Sequence, residues 1–136
     1  MAFKLDFAKL AARSPEERAA DEARRETEAR AAEITDREAK VKHTRTVTLT
    51  EASDVRHEMD GSRAIHFMGT DDQGRAIRGH YQTVSYIEEA EAAALIGRFA
   101  QGQSVTMRGY FRAWTPKAGE SQGKTQFAFV GLFLAD

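Results

Sequence analysis

One short run of this chain carries side chains whose types and spacing suit holding a nucleic-acid strand. Residues Ser104–Trp114 read Ser-Val-Thr-Met-Arg-Gly-Tyr-Phe-Arg-Ala-Trp. A β-strand presents alternate residues to opposite faces. Arg108, Tyr110, Arg112 and Trp114 therefore share one face, and Val105, Met107, Gly109, Phe111 and Ala113 share the other. The second set is small and apolar enough for a core. The first alternates guanidinium groups, which meet phosphates, with rings, which stack on bases whatever their sequence. The same alternation also suits a half-buried strand, with Tyr110 and Trp114 under a loop and the arginines solvated.

Further cations extend this face. Arg75, Arg78, Lys117 and Lys124 fall on the flanking hairpin and loop, and His80 and Gln82 share a strand face with Arg78. Neither Arg75–Tyr86 nor Ser104–Trp114 contains an acid, as a surface for phosphates requires. Catalytic chemistry has less to work with. No two of the histidines His43, His57, His66 and His80 stand at a metal-ligand spacing. The chain has no cysteine, which excludes thiolate ligands, thiol nucleophiles and disulfides. His57-Glu58-x-Asp60 reads as a polar turn rather than a cation site. Asp71-Asp72-x-Gly74 opens like a calcium loop but lacks the remaining ligands. There is no glycine-rich phosphate loop and no nucleophile–base pair, Ser85 and Ser104 reading as ordinary strand hydroxyls. The expectation is a non-enzyme with no metal and no cofactor.

Composition bounds the partners. The chain has 136 residues and a net charge of −1, so bulk charge does not drive nucleic-acid binding. Any such binding arises from local clustering and is weak and salt-sensitive. No apolar run is long enough for a transmembrane helix, and Met-Ala-Phe-Lys-Leu-Asp-Phe lacks the stretch of a secretion signal. A cytoplasmic protein without a membrane partner is expected, and the lack of cysteine fits a reducing compartment.

The elements that must position these residues fall into three segments. Residues 1–13 form a short apolar segment. Phe3, Phe7 and Leu10 would share a helical face, and Phe3, Leu5 and Phe7 a strand face; either would dock on the domain or on a partner. Residues 14–41 form a charged helical arm. Ser14-Pro15-Glu16-Glu17 is a specific helix start: a capping serine, a proline at the first helical position and a glutamate completing the capping box. Asp21–Arg25, Glu26–Arg30, Glu33–Arg37 and Asp36–Lys40 are spaced i, i+4 with the acid first. No heptad of large residues marks a coiled-coil seam. Residues 42–136 form a mainly β domain. Strands are expected over Thr44–Thr50, Ala64–Thr70, Arg75–Tyr86, Ser104–Trp114 and Thr125–Leu134. A hairpin loop is expected at Asp71–Gly74. An alanine-rich helix is expected over Glu88–Phe99, with Ala90, Ala94, Leu95 and Phe99 as its apolar face. The order, three strands, a helix and two strands, is that of a five-stranded OB-fold barrel with its helix between strands three and four; other small barrels share part of it.

On these residues the chain resembles the bacterial single-stranded DNA-binding protein family, over about residues 44–135. The matching stretches are Val47-Thr-Leu with Asp54-Val-Arg-His-Glu-Met-Asp-Gly61, then Ala64-Ile-His-Phe, then Ala90-Glu-Ala-Ala, then Gly102-Gln-Ser-Val-Thr-Met-Arg-Gly109. Trp114 falls near the family's stacking tryptophan, five residues after Gly109 where the family usually has seven, which keeps the same face. The family's long hairpin between strands two and three is cut to Asp71–Gly74. Its tail with an acidic tip has no counterpart before Asp136, and the charged front helix is not a family feature. The resemblance implies a divergent relative, of the kind carried by plasmids, phages or integrative elements, acting in DNA replication, recombination or maintenance of such an element.

The expected partners are single-stranded DNA or RNA at Arg75, Arg78, His80, Gln82, Arg108, Tyr110, Arg112, Trp114, Lys117 and Lys124, further copies of the chain in a homo-oligomer, and a protein partner through residues 1–40. The competing reading is an OB-fold adaptor of a replication or conjugation assembly without strong nucleic-acid binding. Near-zero net charge, the missing tail and the added helix favour the adaptor; the acid-free strands favour the nucleic-acid binder.

Overall fold

The computed structural model describes residues 14–119 and 122–135. The apolar segment at residues 1–13 lies outside them. The chain divides into two compact units, residues 1–35 and 36–136.

In the first unit runs most of helix α1, Pro15–Lys40. Its start is chemical: the Glu17 amide donates to Ser14 Oγ at 3.1 Å, satisfying one of the free donors of the first turn. Along its exposed length Arg24 pairs with Asp21 at 3.5 Å, a spacing of three rather than the expected four. The last turn belongs to the second unit and is tied to its strands, as described below.

The second unit is a six-stranded mixed sheet. Its elements are β1 (His43–Leu49), β2 (Asp54–His57), β3 (Arg63–Thr70), β4 (Ala76–Gln82), α2 (Glu89–Gly97), β5 (Ser104–Trp114) and β6 (Gln126–Leu134). The hydrogen-bonded order is β1-β5-β6-β4-β3-β2, and a further β1–β3 pairing closes the ring. Five strands were expected and six are present because the first is split. β1 pairs with β5 through Thr48, then meets β3 at Thr48–Leu49. After Thr50–Ser53 the chain resumes as β2, antiparallel to β3. All pairings are antiparallel except β4 with β6.

Period-2 patterning fixes which faces are buried. Val47 and Leu49 of β1, Ile65 and Phe67 of β3, Val105 and Met107 of β5 and Phe129 of β6 are buried together with Tyr81 and Phe99. The reverse side carries polar ladders, such as Thr46–Thr106 and Thr48–Ser104 hydroxyl pairs at 2.8 and 2.9 Å. The β3–β4 hairpin turns where expected. Asp71 Oδ1 accepts from the amides of Gln73 and Arg75, both at 2.9 Å, and Gly74 takes the positive φ of +77° that the turn requires.

Two expectations on packing differ from what is found. α2 buries Ala92 and packs Leu95 and Ile96 on the core, while Ala90 and Ala94 are exposed. Alanines at 90, 92, 93 and 94 suit any face of a helix, and the two large residues decide the rotation. On β5, Phe111 and Ala113 were expected in the core; Phe111 is at the rim, 36% exposed, and Ala113 is exposed. Beyond Gly109 the strand has run past β1, whose pairing with it starts at His43, and keeps β6 alone as its partner; past Phe111–Phe129, where the β4–β6 pairing ends, the two continue as an arm. Phe111 rests edge-on against Phe129 and His43, ring centroids 5.1 and 5.4 Å apart.

Candidate functional site

The outward residues of β3, β4, β5 and β6 enclose a cleft of about 540 Å³. Its walls include Arg78 and His80 of β4, Arg112 and Trp114 of β5, and His66 and Met68 of β3. Small residues make the floor. Gly79 and Ala128 line it, Ala128 lying directly opposite Arg112. Gly79 is obligatory for a packing reason. A Cβ there would stand 1.8 Å from the Phe129 carbonyl oxygen, inside the parallel pairing of β4 with β6 at Gly79–Phe129.

Arg78 and Trp114 are coupled. The Arg78 guanidinium carbon lies 5.0 Å from the centre of the indole ring, within cation–π range. Arg78 Nη2 also donates to Gln126 Oε1 at 3.2 Å, and Gln126 is the cross-strand partner of Trp114. Trp114 is still 41% exposed. The ring and the guanidinium thus present a flat aromatic surface and a positive charge at one edge of the cleft.

His66 and His80 face each other across β3 and β4, with ring centroids 5.3 Å apart and tilted by 31°. Both are held below the ordinary histidine value of 6.5. Burial is the main cause for each; next come the Arg56 charge for His66, and the His66 and Arg112 charges for His80. The opposite end of the cleft is acidic. Glu51 and Asp54, from the β1–β2 connection and the start of β2, line it, and Asp54 stands opposite His66 in the ladder. Among the described residues no group of three or more His, Cys, Asp or Glu is placed to hold a metal ion.

Of the residues singled out from sequence, the cleft gathers Arg78, His80, Arg112 and Trp114. Tyr110 is on the same outward face of β5, paired with Val130, which in turn pairs with His80. Gln82, farther along β4, lies where its carbonyl accepts from Arg37 Nη2. Arg75 is exposed in the β3–β4 turn, and Lys117 and Lys124 are exposed in the β5–β6 loop. Arg108 is engaged elsewhere. Its two terminal nitrogens donate to the two carboxylate oxygens of Glu38 at 3.1 and 3.0 Å, and its guanidinium lies 4.7 Å from the Phe133 ring centre. That bidentate pair holds the Glu38 carboxyl below its ordinary value.

Sequence reasoning missed four residues, three that line the cleft and one that braces its strands. His66 gave no signal beyond standing alone in a strand. Asp54 and Glu51 lie outside the acid-free strands and reach the cleft only because β2 lies beside β3. Arg37, spaced to pair with Glu33, is 7% exposed. It donates to the backbone carbonyls of Gln82, Thr83 and Leu132, at 3.4 Å to Thr83 and 2.7 Å to Leu132. A helical period of i, i+4 could not show that the last turn of α1 runs against β4 and β6.

Scans of the sequence against protein-family models and against curated proteins find no match.

Proposed function

We propose that this chain binds single-stranded nucleic acid, DNA in the first place, along the cleft between Trp114 and the His66–His80 pair. The observation that carries the reading is the convergence of Trp114, Arg78, Arg112 and His80 on one cleft with a floor of Gly79 and Ala128. A base stacks on the exposed indole, Arg78 and Arg112 take adjoining phosphates, and Tyr110 continues the stacking face. Arg75, Lys117 and Lys124 extend the track at the exposed turn and loop. We read Arg108 as the lesser contact, since strand binding there competes with Glu38. The ring of strand pairings and α2 between β4 and β5 support an OB-fold barrel, and that fold is part of the proposal. The role is binding rather than catalysis. A cytoplasmic setting and self-association belong to the same proposal; no described helix is long and apolar enough to cross a membrane.

A second reading has its own observation. Glu51 and Asp54 at one end of the cleft repel phosphates, and Phe127, 64% exposed on the β5–β6 arm, suits a protein partner. In that case the domain is an OB-fold adaptor.

Titration with oligo-dT decides between them. Trp114 is the only tryptophan, so stacking quenches the whole tryptophan signal. Trp114→Ala is expected to cost about 1–3 kcal/mol of affinity. The logarithm of the binding constant should fall with log salt at a slope of about −0.7 per phosphate contact, and Arg78→Ala with Arg112→Ala should flatten it. No quenching, or a slope of zero in the unmutated chain, promotes the adaptor.

A further inference from the structure

The two histidines of the cleft stand in an arrangement that ordinary stacking or packing does not require. Their rings approach to 5.3 Å on the outward face, and both open into the cleft. Their charged surroundings are split. On one side are Arg78, two residues before His80 on β4, and Arg112 on β5; both line the cleft. On the other side β2 brings Asp54 opposite His66, with Arg56 acting on His66 and Glu58 on both rings from farther along. Glu51 comes from the β1–β2 connection. β6 adds only uncharged neighbours, Val130 opposite His80 and Ala128 in the floor.

In the free protein a proton on His80 meets burial, the His66 charge and the Arg112 guanidinium, and a proton on His66 meets burial and the Arg56 guanidinium. Both rings are therefore neutral near pH 7. An anion between Arg112 and His80 reverses the balance. It offsets the guanidinium charge and offers an acceptor to a protonated imidazole, and a hydrogen bond to the charged form favours that form. A phosphodiester stays singly negative throughout this range, so the proton must go to the protein.

We propose that His66 and His80 form a proton-coupled phosphate contact: a strand stacked on Trp114 places a backbone phosphate against the pair, the pair takes up a proton, and binding tightens as pH falls. This rests on the reading of the cleft as a single-strand site. The sign follows from linkage. The strand-bound protein holds more protons than the free protein, so the binding constant rises on acidification, by up to about tenfold per pH unit for each proton taken up.

The test uses the full chain and end-labelled oligo-dT followed by fluorescence anisotropy, at constant ionic strength and pH 7.5, 6.5 and 5.5. Thymine does not titrate there, and the label removes any direct effect of histidine charge on Trp114 emission. The expected result is a Kd at least about tenfold lower at pH 5.5 than at pH 7.5. In His80→Gln and in His66→Gln with His80→Gln the ratio of the two constants should fall toward one. Calorimetry at pH 6.5 in two buffers of different ionisation heat should show proton uptake on binding by the unmutated chain, which requires no variant to fold. Binding with one Kd across the range, no proton uptake, or a pH dependence that survives in the double variant overturns the inference and leaves the single-strand site standing. No binding at any of the three pH values overturns both.

Discussion

At the scale of single residues, His66 and His80 also set how stability follows pH. Their ordinary value is 6.5, and in the folded protein both lie lower, chiefly through burial. The unfolded chain therefore binds protons first as pH falls. Stability contributed by the neutral pair is fully present above about pH 6.5 and is lost as pH drops toward the folded values. Urea unfolding without ligand should show a lower midpoint at pH 5.5 than at pH 7.5. His66→Gln with His80→Gln should reduce that difference; an undiminished loss would place the titration at other groups. Two carboxylates held by hydrogen bonds do not confuse this window. Asp60, accepting from the Ser62 hydroxyl and amide, and Glu38, paired with Arg108, are both held below their ordinary values and titrate at lower pH.

At the scale of elements, the cleft depends on strands approaching closely enough to leave a floor of Gly79 and Ala128. Gly79 in β4 and Gly109 in β5 each lie where a Cβ would meet a β6 carbonyl oxygen at 1.8 Å. Because the obstacle is backbone, neither side can yield without parting the strands. Gly79→Ala should lower the unfolding midpoint strongly, and any folded remainder should lose strand binding more than Ala128→Gly, which removes only a methyl from the floor. Equal tolerance of both substitutions, judged by urea unfolding and anisotropy, would contradict the close β4–β6 approach. The β5 sequence displayed its two faces plainly, and the faces are as read from Val105 to Gly109. Past that point the alternation continued in sequence while the inward face lost its cover, because β1 begins only at His43. Strand period tells which side a residue faces, not what lies on that side.

At the scale of the whole molecule, the last turn of α1 matters more than the rest of the helix. Residues 36–136 form a compact unit that keeps Arg37 and Glu38. Removal of residues 1–35 should therefore leave a domain that unfolds cooperatively. Removal of residues 1–40 also takes away the donor to the Gln82, Thr83 and Leu132 carbonyls and the partner of Arg108. The shorter piece should be less stable by about 1–3 kcal/mol, and Arg37→Ala in the full chain should reproduce most of that loss. Circular dichroism with urea unfolding on the two truncations checks this. Equal stability of both would mean that water replaces the guanidinium at those carbonyls without cost.

Some of this was already determined by the sequence. Ser14, Pro15 and Glu17 placed the helix start by local capping chemistry. Asp71 and Gly74 placed the hairpin turn, and the alternation in Ser104–Trp114 put Arg112 and Trp114 on one face. These are short-range effects, settled by residues within one turn or one strand. Other features were decided only by the tertiary structure. The split of the first strand arises because one segment must leave β5 and join β3 to close the ring. The pairing of His66 with His80, the laying of Arg78 over Trp114 and the arrival of Asp54 and Glu51 at the cleft all depend on which strands lie side by side. So does the inward turn of Arg37, whose i, i+4 spacing pairs it with Glu33. Such contacts join residues far apart along the chain, and periodicity carries no information about register between distant strands.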